Sequence, residues 1–262
     1  MTTQLLDPLP IIGIFLLFAA LALAAYEIGF RVGRWWQERT PEDKEGPTSM
    51  LVGSLLALMA FLLAVTMGMA SDRFDARRGL VLDEANSIGT TYLRAGYLPS
   101  PAADQSRELL RAYVPLRVNV ADRAKLQANF VRSEEILDDL WAIAEDLART
   151  EPGSETLALY IESLNETIDL HETRVTAIVY ARVPETVLIL LILGAVLTVG
   201  MVGYSAGLTR RRSLITAVVL VIVLGAVITL IVDLDRPREG FLQVSQQPLI
   251  DLQQQIGPPS SG

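Results

Sequence analysis

The chain has 262 residues, 51% of them hydrophobic, with a mean hydropathy of +0.37 and a formal net charge of −8. The acidic balance excludes nucleic acid as a partner, because phosphate binding needs a basic face. With no cysteine and one histidine, His171, disulfides, thiolate chemistry and any site built from several imidazoles are excluded as well.

Four uncharged runs organise the chain: 8–26, 46–71, 186–209 and 213–232. Each passes the roughly 18-residue length a helix needs to cross a bilayer. Backbone groups in lipid must pair within their own segment, so isolated runs of this kind are helices. The predicted fold is an all-α integral membrane protein: four transmembrane helices, with a helical-bundle extramembrane domain inserted between the second and third.

Residues 1–9 form a short N-terminal tail that carries Asp7 and no basic residue. The first membrane helix covers 10–32. It lacks the basic start of a cleavable signal and is followed by Arg34 rather than by small residues. Trp35 and Trp36 then suit an interfacial anchor. A polar, basic loop with Pro41 and Pro47 spans 33–49.

The second membrane helix covers 50–70 and passes without proline into an amphipathic stretch ending near Leu93. The spacing therefore predicts one rod over 48–93 that leaves lipid near Asp72. Pro99 and Pro101 end it.

Residues 71–183 make up the inserted domain, with 13 basic and 19 acidic residues. Apolar stripes at three- and four-residue spacing divide it into four helical stretches that need one another as partners. The first and last are expected to be continuous with membrane helices. Pro115 is expected to kink or break the second stretch, and Ser154 is placed as an N-cap of the fourth. Pro184 opens the third membrane helix, 184–208. A basic turn at 209–213 leads to the fourth, 214–232, and a C-terminal tail at 233–262 ends in a short amphipathic piece.

Three groups of side chains are candidates for a site. Ser54, Leu58, Phe61, Val65 and Asp72 fall roughly along one face of the second membrane helix. They would line a pore, large apolar residues gating by dewetting and Asp72 drawing cations to a mouth. The plain alternative is that the apolar three face lipid or pack, and that Asp72 only marks the lipid exit. Glu84 and Asn86 are placed to meet His171 and Arg174 as a polar lock, with His171 the group whose ordinary titration lies near neutral pH. Asp233, Asp235, Arg236 and Arg238 are candidates for a clamp on the tail through charge-assisted bonds, or form a solvated helix exit. No nucleophile–base pair, phosphate-cradling loop or metal-ligand spacing is present, so no enzyme activity, cofactor or metal is expected.

The short loops and the long segments carry equal numbers of basic residues near the membrane. Arg210, Arg211 and Arg212 are packed into a very short loop, however, and short-loop charge orients helices. The expected location is a bacterial inner membrane, with short basic loops cytoplasmic and the helical domain and both termini outside.

The segment LLALMAFLLAVTMGMASDRFDARRGLVLDEANSIGTTYLR (55–94) and the tail IVDLDRPREGFLQVSQQPL (231–249) resemble the bestrophin-like family of bacterial membrane proteins. The DRFDARR stretch after a membrane helix further resembles true bestrophins. That resemblance implies a pentameric anion channel with its pore lined by the second membrane helix and with cytosolic termini, opposite to the orientation read from loop charge. The chain lacks the dense acidic cluster of a calcium clasp. The expected function is an oligomeric ion channel of four or five copies in a lipid bilayer, passing small inorganic ions of undetermined type. The alternative is a membrane-anchored helical-bundle sensor or scaffold with no conduction.

Overall fold

A computed structural model describes residues 7–40, 46–118, 123–179, 182–236 and 240–258. Among them every regular element is a helix. They are α1 (Ile11–Arg39), α2 (Gly46–Arg94), α3 (Ala102–Val118), α4 (Arg123–Thr150), α5 (Glu155–Val179), α6 (Glu185–Leu208), α7 (Leu214–Asp235) and α8 (Gln247–Ile256), with a single 3-10 turn at Ala95–Tyr97. α1, α2, α6 and α7 are long and apolar enough to cross a membrane. The chain divides into two compact units.

The first unit holds α1, α6, α7 and the membrane part of α2. α1 starts after Pro10, whose carbonyl accepts from the Ile14 N–H at 3.1 Å, and stops at Thr40, whose N–H and hydroxyl both return to the Trp36 carbonyl. It therefore continues through Arg39, beyond the expected end at residue 32 and into the expected loop. No proline interrupts 33–39, and the Arg34–Glu38 pair one turn apart supports the extension. At about 43 Å this helix exceeds a hydrocarbon core of roughly 30 Å.

α1 and α6 meet along a seam of glycines. A Cβ on Gly29 would strike the Gly200 carbonyl, one on Gly33 the Tyr204 carbonyl, and one on Gly203 the Tyr26 carbonyl. Between membrane helices there is little hydrophobic drive, so close backbone approach through small residues supplies the packing. Gly225 of α7 makes room for the Phe15 and Phe18 rings, and Gly194 of α6 lies against Met59 of α2.

The second unit holds the outer part of α2 with α3, α4, α5 and α8. Its core includes Ile88, Leu110, Tyr113, Val114, Leu140, Tyr160, Leu164 and Leu249, each fully buried. α3 runs through Pro115 to Val118 without a break. The flanking Tyr113 and Val114 are wholly buried, and that packing outweighs the lost backbone bond. Ser154 accepts from the Leu157 N–H at 3.3 Å, as an N-cap does. α5 ends at Val179 and α6 begins at Glu185. The expected continuity of the fourth stretch with the third membrane helix is thus corrected: residues 182–184 are not helical, and the Val183 N–H donates to the Asp235 carboxylate at 2.6 Å.

Candidate functional site

Along the membrane part of α2, Ser54, Leu58, Phe61, Val65 and Asp72 are all exposed, with Phe61 at 63%. Met59, Leu63, Thr66 and Ala70 on the other face are buried. The helical period thus separates a packed face from one with no partner among the described residues. Ser54 turns its hydroxyl to the Met50 carbonyl at 2.9 Å. Asp72 forms no ion pair among the described residues.

At the end of α7, Asp233 and Asp235 are buried rather than solvated. Asp233 accepts from the Phe241 and Leu242 N–H groups at 2.9 and 3.0 Å. That return of the chain needs Gly240, whose φ is +150° and whose missing Cβ leaves room for the Asp233 carboxylate. Asp235 binds Val183 and the Arg182 Nε, while the two Arg182 Nη atoms grip Asp7 at 2.8 and 2.9 Å. Arg236 donates to the Leu9 carbonyl at 2.9 Å. Of the clamp candidates, Asp235 thus joins the segment at 182–183 to the end of α7, Asp233 holds the turn at 240–242, and Arg236 holds Leu9; Arg238 lies outside the described residues.

In the second unit Glu84 of α2 is wholly buried between two guanidinium groups. Arg117 Nε donates to it at 2.7 Å, and Arg174 Nη1 donates to its other oxygen. Arg174 also reaches the Arg117 carbonyl and Gln246. One turn back, His171 Nδ1 meets the Tyr113 hydroxyl at 3.0 Å. Beside this lock, Ser87 and Thr91 of α2 share the Thr167 hydroxyl of α5 at 2.7 and 2.9 Å. Glu84, His171 and Arg174 come together; Asn86 is exposed and takes no part. Burial pushes Arg174 down against the opposing pull of Glu84, and pushes the Tyr113 phenol well above its ordinary value.

Burial, together with Arg117 and Arg174, lowers the His171 imidazole to about 3. Its ordinary titration near neutral pH is thus moved well below neutrality in the folded chain. The unfolded chain takes up a proton near pH 6.5 that the folded chain refuses. Stability is therefore complete above that pH and falls as pH drops toward 3. In buffer without divalent metal, going from pH 7 to 5 should cost about 2 kcal/mol. His171→Gln should flatten this dependence in thermal unfolding of the detergent-solubilised protein. An equal slope in the variant would assign the effect to other groups.

Arg117, Tyr113 and Gln246 are members of the lock that sequence reasoning missed, as are Arg182 and Asp7 at the α7 exit. Nothing local marks them: Arg117 falls after Pro115 in a stretch that reads as a helix end. The glycine seam was missed as well, though it has a local signal: GFRVG and GYSAG both carry the four-residue glycine spacing of close membrane-helix packing.

A family model for the Bestrophin-like domain matches residues 16–249. No curated protein matches the chain in sequence. Among solved structures, a bacterial bestrophin homologue from Klebsiella pneumoniae, phased with zinc, superposes with a TM-score of 0.69 at 15% identity, over 94% of this chain and 97% of that one. A point variant of that homologue gives 0.70 at 16% identity over the same shares. Four apolar helices, an all-helical inserted domain and a match spanning most of the sequence converge: this chain belongs to the bestrophin-like family of membrane proteins.

Proposed function

We propose that copies of this chain close into a ring of four or five and conduct small inorganic ions, with α2 lining the shared path. The observation that carries the reading is the unpartnered face of α2, where Ser54, Leu58, Phe61 and Val65 stand exposed while the opposite face is packed. Symmetric closure about an axis gives such a face a common environment in every subunit. Large apolar rings at Leu58 and Phe61 form a constriction that empties of water when narrow, and a ring of Asp72 carboxylates biases one mouth toward cations. The resemblance to bestrophins implies the same path, along the second membrane helix. A channel needs no catalytic group. The short loops, with Arg210, Arg211 and Arg212, are assigned to the cytoplasm on their charge.

The chain has no cysteine, so single replacements report cleanly. In liposomes, Phe61→Cys should lose more than about half of its ion flux after a charged thiol reagent is added, whereas Ile215→Cys, 80% exposed on α7, should not respond. Ser213→Cys in cells should resist an impermeant maleimide. Absence of flux from the parent protein, together with a monomer or dimer in detergent, would sink the channel reading in favour of a membrane-anchored scaffold.

A further inference from the structure

Next to the buried lock, Glu134 of α4 meets His171 and Glu172 of α5, with one donor atom from each within 4.8 Å of the others. The two carboxylates are exposed, and neither forms an ion pair among the described residues. His171 is different. It is 1% exposed, its Nδ1 is engaged by Tyr113, and its Nε2 is buried with no hydrogen-bond partner. A buried polar atom left unmatched is destabilising and calls for an explanation.

We propose that Glu134, His171 and Glu172 bind a divalent transition-metal ion, with zinc as the representative ion. A neutral imidazole offers one lone pair; with the Tyr113 hydroxyl accepting from Nδ1–H, that lone pair would lie on Nε2, the tautomer this site requires. A histidine that binds metal characteristically has its other ring nitrogen held in this way, which fixes the tautomer and the ring. Two carboxylates balance a dication. Arg117 and Arg174, the positive charges that act on His171, are countered by Glu84 instead. One nitrogen and two oxygens suit zinc or its neighbours, whereas calcium takes an all-oxygen shell.

Tetrahedral bonds near 2.0–2.1 Å put donor atoms about 3.3 Å apart. The imidazole is fixed by packing, so the closing movement falls to the two exposed glutamates. The fourth position is left for water. The ion would clip α4 to α5 one turn from Arg174.

The test uses untagged full-length protein in detergent, stripped with chelator and titrated calorimetrically with zinc chloride. One site per chain with a Kd at or below about 10 μM is expected. X-ray absorption at the zinc edge should report a mixed nitrogen–oxygen shell without sulfur. Glu134→Gln/Glu172→Gln changes only exposed side chains and should fold normally while weakening the affinity at least about tenfold. His171→Gln should weaken it likewise. Saturable binding that is absent from the parent, or equal in the parent and the Glu134→Gln/Glu172→Gln protein, overturns the proposal.

Discussion

Glu84→Gln should destabilise the extramembrane bundle by about 3–5 kcal/mol, the range for removing one partner of a buried ion pair. The cost arises because Arg117 and Arg174 both rely on this carboxylate. Their side chains are 1% and 3% exposed, and arginine does not discard its proton to escape burial. A neutral amide accepts one hydrogen bond where the carboxylate accepted two charged ones. Two positive charges then face each other in a poorly screened interior. The check is thermal unfolding in detergent, with amide exchange along α5 as the local reading. A triple variant, Glu84→Gln/Arg117→Met/Arg174→Met, should recover much of the loss, since apolar groups of similar volume often replace buried ions at little cost. A single-variant cost below about 1 kcal/mol would mean that water reaches the cluster.

Gly203→Ala should cost about 3 kcal/mol or more, although it adds one methyl group. The new Cβ would occupy the place of the Tyr26 carbonyl oxygen. A side chain can turn aside from a clash, but a backbone carbonyl moves only with its helix. α1 and α6 must separate, and contacts along the whole glycine seam weaken together. Gly153→Ala is the control, because no atom lies within 4 Å of its added Cβ. The measurement is the loss of helical signal with rising detergent denaturant. A Gly203→Ala midpoint matching that of Gly153→Ala would show that α1 and α6 do not pack at this distance.

The two clusters differ in how far they can be read in advance. Glu84, His171 and Arg174 stand out in the chain because each is a polar residue within an apolar stripe, and helical spacing puts each on a packed face. Arg117 cannot be found in that way. It comes from a third helix, and its approach to Glu84 depends on α3 continuing past Pro115. The α7 exit is similar. Asp233 and Asp235 read equally well as a solvated helix end until Val183, Arg182 and the 240–242 turn are seen to bond to them.

From the sequence alone follow the four membrane spans, the unbroken passage of α2 out of its apolar run, and the helical nature of the inserted domain. These depend on hydropathy, period and proline placement, all of which act within a few turns of the chain. Only the tertiary structure decides which face of α2 is left without a partner, how closely α1 and α6 approach, and which arginines share the Glu84 carboxylate. Those outcomes depend on side chains far apart in sequence that meet after the helices pack, where burial raises the energetic weight of each unmatched charge or methyl group.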